Sequence, residues 1–283
     1  LQAYLMQDLE DFSPVLNDIF DGAKKMGLPA RTLISEYAPG QFEIVLEHRD
    51  DAMRAADDAI LYKRLVKGVA DRHGLVATFM AKPYADLSGS GMHVHVSLAG
   101  EGKDNLFAGE GSNLTPHLAH AIGGLEAAMA ESMAFFAPNA NSYRRFRKNS
   151  YAPLAPAWAV DNRSVPLRVT AGRPETRHLE HRVCGADANP YVALAAVLAG
   201  IAEGIEKKIE PSEPVTGDGY GQREATLPLN WWKALETARN SSFLAERLGK
   251  EFTNIFLTIK EVECDRFFAS VSDVDVEWYL RNA

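Results

Sequence analysis

The pattern of apolar and polar positions divides the chain into short strands early and long helices late. Between Ser13 and Gly27 the apolar residues Val15, Leu16, Ile19 and Phe20 recur at helical spacing, behind a Ser-Pro start and before a glycine stop, which predicts a helix over 13–26. Period two takes over in TLISEYAPGQFEIVL, where Gln41, Glu43 and Val45 alternate with Phe42, Ile44 and Leu46 after a Pro-Gly break, so two short strands and a turn are expected. Residues 50–73 return to helix, with acids in front, bases behind and Gly74 as terminator. LVATFMAK (75–82) reads as a strand, and LTPHLAHAIGGLEAAMAESMAFF (114–136) as a second long helix. Residues 138–164 are too rich in Pro, Asn, Arg and Ser for regular structure, and long irregular segments in compact domains often carry function. RSVPLRVT and RHLEHRV are two further strands, Asn189-Pro190 opens an apolar helix to about 208, and 230–282 supplies more amphipathic helices. This order argues for an α+β architecture over an alternating parallel one.

The stretch SGSGMHVHVSL (88–98) sets a glycine turn against two histidines. On a strand, His93, His95 and Ser97 share one face and Val94, Val96 and Leu98 the other. Gly89 and Gly91 let the backbone come close to a ligand or take up positive φ just before it. Such histidines are either hydrogen-bonded structural residues or ligands to a metal or phosphate group.

Acids and arginines change the picture. Folding the Pro-Gly turn would bring Glu36 and Glu43 together with Glu180 and His93, a set of oxygen donors with one imidazole that suits Mg²⁺ or Mn²⁺ better than Zn²⁺. The alternative is that Glu36 and Glu43 are solvated edge-strand acids. NSYRRFRKNS carries Arg144, Arg145 and Arg147, DNRSVPLR carries Arg163 and Arg168, and ETRHLEHR carries Arg177 and Arg182. Arginine is the side chain for bidentate carboxylate and phosphate contacts. In a chain of 283 residues with net charge −8, such clustering indicates a local anion site, while the overall charge argues against nucleic-acid binding. At 46% hydrophobic and 24% charged the composition is that of a globular protein. Cys184 and Cys264 are its only cysteines, which excludes a disulfide framework and suits a reducing, cytoplasmic setting. No P-loop, nucleophile elbow or dinucleotide fingerprint is present, no apolar run is long enough to cross a bilayer, and no export signal is apparent. The chain opens on Leu1, partway into an apparent element, so a fragment of a longer protein is expected.

EYAPGQFE, FMAKPYADLSGSGMHVHVSL, NSYRRF, NRSVPLR and RHLEHRVCGADANPYVALAAVLAG resemble, in this order, the catalytic domain of the glutamine synthetase family, and within it the branch that makes γ-glutamyl-polyamines and other γ-glutamyl-amides. The resemblance implies a curved, mainly antiparallel sheet forming a half-barrel active site packed by helices. It implies two or more Mg²⁺ or Mn²⁺ ions, one held by Glu36 and Glu43 and another by His93 and Glu180. His95, Ser97, Arg163 and Arg168 would line the ATP site, with Arg163 also catalytic. Gly89, Arg145 and Arg182 would meet glutamate or the transferred phosphate, Arg145 catalytically. ATP would phosphorylate the γ-carboxylate of glutamate, and an amine would then displace phosphate.

Three departures from the family pattern matter. The ammonia-using enzymes carry PGYEAP on an active-site flap, whose Glu helps deprotonate ammonium; here the stretch is KNSYAP, and Tyr151, neutral at pH 7, stands at that position, so a larger amine than ammonia is expected. Ser88 replaces an Asn that meets glutamate, and His178 replaces a phosphate-binding Arg. The family's N-terminal β-grasp domain and a Glu-x-Glu strand that adds a ligand to each metal are not visible, so 1–283 reads as a catalytic domain without them. The family also builds its active sites between subunits of a homo-oligomer. Two alternatives remain: a glutamine synthetase using ammonia, and a non-catalytic metal- or nucleotide-binding relative.

Overall fold

The computed structural model describes residues 3–102, 104–109 and 113–282. Helices α1 (Met6–Asp11) and α2 (Ser13–Lys25) lead into an antiparallel pair, β1 (Ala30–Ser35) and β2 (Phe42–Leu46), and then α3 (Ala52–Arg72). Val15, Leu16 and Ile19 of α2 close with Val69 of α3 over Leu33, Phe42 and Ile44 from the hairpin, a small core separate from the main one. Both expected glycine stops hold: Gly27 and Gly74 take φ of 67° and 69° at their helix ends.

The main core lies under a four-stranded sheet of β3 (Val94–Val96), β4 (Trp158–Val160), β5 (Leu167–Val169) and β6 (Leu179–His181), in the order β3-β6-β5-β4. β6 runs antiparallel to both neighbours, and only β4 with β5 is parallel. Helices α4 (Pro116–Ala128), α5 (Met133–Phe136) and α6 (Pro190–Lys207) cover the apolar face, followed by α7 (Gly219–Gln222), α8 (Trp231–Arg239), α9 (Ser242–Leu248), α10 (Lys250–Phe268) and α11 (Asp273–Tyr279). The architecture is the expected α+β with mainly antiparallel pairing, and among the described residues the strands form two small ladders and not a closed barrel.

Three elements differ from the sequence expectation. Residues 75–82 form no strand: Val76 is 96% exposed, and Phe79 lies beneath the ammonium groups of Lys63 and Lys67 at 5.7 and 5.8 Å. An apolar run becomes strand only when a neighbouring edge accepts its hydrogen bonds, and the sheet's β3 edge begins later. The 114–136 helix breaks after Ala128, a bend periodicity cannot reveal where nearly every face is apolar and buried. The irregular stretch 138–164 contains a short strand, β4, whose partner β5 is read only in three dimensions.

Candidate active site

Three adjacent strands bring together one row of chemistry. Register sets His95 of β3 opposite Glu180 of β6, and Glu180 opposite Arg168 of β5. Cross-strand partners stand on the same face, so an imidazole, a carboxylate and a guanidinium project side by side. Glu180 is 3% exposed; its Oε2 accepts from Arg168 at 2.7 Å, and its Oε1 accepts from Arg182 at 2.5 Å and lies 3.2 Å from His93 Nδ1. Burial pushes this carboxyl upward, but the His93 bond and the two guanidinium charges override it and hold it well below the usual carboxylate range. Arg168 also binds Asp161 at 3.1 Å.

His95 Nδ1 meets His178 Nε2 at 2.9 Å, and His178 Nδ1 meets the Thr176 carbonyl at 2.8 Å. A carbonyl only accepts, so His178 carries its proton on Nδ1, its Nε2 accepts from His95, and His95 presents a bare Nε2. Loss of water around His95, countered by Glu180 and reinforced by His178, His93 and Arg168, brings its pKa down to about 4. The ring is therefore neutral near pH 7, and its Nε2 can accept a hydrogen bond.

The β1–β2 hairpin supplies the second acidic group. Glu36 follows β1, its N–H bonded to the Gln41 carbonyl at 2.8 Å, and Glu43 lies on β2 opposite Ile34. Burial and the neighbouring Glu43 carboxylate raise the Glu36 pKa against the pull of Arg163 and Arg182. Gln41 locks the hairpin in place, its Nε2 donating to the Gly89 carbonyl and Ser90 hydroxyl at 3.1 Å each.

Neither Gly89 nor Gly91 takes positive φ, and what comes close to both is the protein itself. A methyl on Gly89 would lie 2.7 Å from the Ala81 carbonyl oxygen and 2.8 Å from Arg145 Cγ, and one on Gly91 would lie 3.1 Å from Arg145 Nη2 and from His93 Nε2. Arg145 is 6% exposed and donates to the Val183 carbonyl at 3.1 Å. Ser97 follows β3 and is exposed, as is Arg163, whose Nη1 lies 3.5 Å from the Tyr4 hydroxyl. Tyr151 is half exposed and packs on Tyr37 with ring centroids 6.0 Å apart; Tyr37 in turn packs edge-on against Tyr4 at 5.5 Å. Of the remaining arginines, Arg177 turns away to the Gly109 carbonyl at 2.6 Å, and Arg144 and Arg147 are exposed.

Among the described residues no three His, Cys, Asp or Glu side chains gather tightly enough to hold a metal by themselves. The candidate ligands come as two pairs, Glu36 with Glu43 and His93 with Glu180. This donor set fits hard divalent ions that take one or two protein ligands and complete their shells with phosphate oxygens and water, and a cation between Glu36 and Glu43 would relieve their mutual repulsion. Sequence reasoning missed Gln41, Tyr37 and Asp161; Gln41 alone left a signal, by alternating in phase with Glu43.

The profile of the glutamine synthetase catalytic domain matches residues 1–279. The chain is 39% identical over 282 residues to the gamma-glutamylputrescine synthetase PuuA of Escherichia coli, covering 100% of this chain and 60% of that protein. It is 36% identical to the gamma-glutamylethanolamide synthetase GlnA4 of Streptomyces coelicolor, covering 95% of this chain and 57% of that one. A ligand-free structure of GmaS superposes with a TM-score of 0.89 at 32% identity, covering 98% of this chain and 65% of that one. The chain thus spans about 60% of the length of the curated relatives it matches.

Proposed function

This chain belongs to the glutamine synthetase catalytic-domain family, and from that premise we propose that it serves an ATP-dependent ligase joining the γ-carboxylate of glutamate to an alkylamine. The carrying observation is the gathering of His93, Arg168 and Arg182 on Glu180, with the Glu36–Glu43 hairpin tied by Gln41 to the Gly89–Ser90 turn that leads into His93. Glu36 with Glu43 and His93 with Glu180 would hold Mg²⁺ or Mn²⁺, which when bound neutralises phosphate charge. Arg163, Arg168 and the acceptor His95, with Ser97, serve the ATP side. Arg145, Arg182 and the close-packed backbone at Gly89 serve glutamate. A γ-carboxylate oxygen attacks the terminal phosphorus of ATP and ADP leaves; the amine nitrogen then attacks the acyl carbon, the C–O bond to phosphate breaks, and the amine gives up a proton. Arginines favour this sequence by balancing charge where two anions meet.

Tyr151 supports an alkylamine over ammonia, since its phenol packs on Tyr37 and brings no negative charge to hold ammonium. Names of two relatives carry putrescine and ethanolamide, which points the same way. The family match to residues 1–279 supports reading the chain as the catalytic domain. Exposed Ile255, Ile259 and Val262 on α10 and Trp278 and Leu280 at the C-terminal end support a homo-oligomer with shared sites. No helix among the described residues is long and apolar enough to cross a membrane, and two unpaired buried cysteines support a cytoplasmic setting.

The test is ADP release by the full-length protein with glutamate, ATP and Mg²⁺ against a panel of alkylamines, diamines and ammonia. Release is expected to need both glutamate and amine, with alkylamines preferred. Preference for ammonia would reassign the protein as a glutamine synthetase, and binding of Mn²⁺ and ATP without turnover on any amine would make it a non-catalytic relative.

A further inference from the structure

Residues 148–153 set Tyr151 against Tyr37 in a backbone conformation that a tyrosine does not favour. Asn149 and Tyr151 take φ of 60° and 56°, and a bulky residue in the left-handed region persists only where its surroundings hold it. Ser150 Oγ ties the front of the segment to the Arg145 and Arg147 carbonyls at 2.8 and 2.6 Å, while behind it a cavity of about 480 Å³ opens between Pro153, Leu154 and Ala155 and residues 219–225. What crosses this gap is Tyr220. Its hydroxyl donates to the Ala152 carbonyl at 3.0 Å, holding the backbone of the residue that follows Tyr151.

The segment delivering Tyr220 is itself fixed. Asp218 accepts the Tyr220 N–H at 3.1 Å, and the Gly219 N–H donates to Ser164 Oγ at 2.9 Å. A side chain at Gly219 would come within 2.9 Å of the Ser164 carbonyl oxygen, so only glycine allows this approach. Ser164 neighbours Arg163, so α7 ties the arginine loop to the flap. Nothing in the chemistry proposed above uses Tyr220.

Resting on that proposed reaction, we infer that Tyr220 is the positioning residue that latches the Tyr151 flap over the reacting centre, so that the amine and not water meets the activated glutamate. An acyl phosphate is open to both nucleophiles. Amine attack forms C–N, breaks C–O and releases phosphate; water attack at the same carbon returns glutamate and phosphate, consuming ATP without product. A flap that opens more often therefore uncouples ATP use from amide formation.

Tyr220→Phe in the full-length enzyme removes the hydroxyl and keeps the ring. One hydrogen bond of ordinary net worth corresponds to about fivefold in the closed-to-open ratio of the flap. With glutamate, Mg²⁺, ATP and a saturating alkylamine, the ratio of phosphate released to γ-glutamyl amide formed should rise several-fold over the parent enzyme. Tryptic cleavage after Arg147 and Lys148, a readout independent of activity, should quicken by about the same fivefold. A coupling ratio or a cleavage rate equal to that of the parent overturns the inference. If the parent itself makes no amide, the proposed reaction falls instead, and the inference, which depends on it, falls with it even where cleavage quickens.

Discussion

Glu180 binds one histidine and two arginines at once, and this makes it the residue on which the site's charge balance turns. Removing a buried carboxylate leaves guanidinium groups without their counter-charge, so Glu180→Ala should cost roughly 3–5 kcal/mol of stability, measured by urea unfolding. A Glu180→Ala protein as stable as the parent would mean that Arg168 and Arg182 are compensated elsewhere. Tyr151 tests selectivity in place of stability. Tyr151→Glu restores a negative charge at the flap and should shift the kcat/KM ratio of ammonia to alkylamine by about tenfold, the worth of roughly 1.4 kcal/mol. At this scale much was legible: Glu36, Glu43, His93 and Glu180 announce themselves as metal-competent residue types beside glycines and arginines. The pairing of Arg168 and Arg182 with Glu180 was not, because nothing local says which carboxylate a guanidinium will reach.

Elements are legible where their signals are local and opaque where a partner decides. The glycine stops of α2 and α3 and the caps of α3 and α6 stand in the sequence, as Asp51 accepting from Met53 and Arg54 N–H groups and Asn189 accepting from Tyr191 N–H illustrate, whereas Ser13 caps nothing because Phe12, directly behind α1, holds the N-cap position of α2. The α4–α6 contact was not foreseen. Methyl groups on Gly124 and Gly204 would lie 2.2 Å from the Gly200 carbonyl oxygen and 2.0 Å from the His120 carbonyl oxygen, so these helices cross backbone to backbone. Gly204→Ala should therefore destabilise by about 1–3 kcal/mol despite its better helix propensity, seen as a lowered melting temperature. A gain in stability would show that the helices part easily. The 75–82 run fails as a strand for the complementary reason: its apolar content is real, but no edge receives it.

For the whole molecule, burial turns several groups into points of weakness against alkali. Cys184 is pushed up to about 12 and Cys264 to about 11, burial being the main cause for both, and burial likewise raises the phenols of Tyr62 and Tyr143. The folded chain keeps protons that the unfolded chain loses above about pH 9, so it binds more protons in that range and stability must fall as pH rises. The urea midpoint should decline between about pH 9 and 11, and a flat profile would contradict the burial. Both thiols should resist alkylation at pH 8 until the protein unfolds. By itself the sequence determined the helices behind Ser13, Asp50 and Asn189, the hairpin, the α+β class and the residue types of the site, because periodicity, caps and turn chemistry act between near neighbours. Only the tertiary structure decided the row His95–Glu180–Arg168, the tautomer of the His95–His178 pair and the grip of Tyr220 on the flap, because strand register and the docking of distant segments are settled by which surfaces can be buried together.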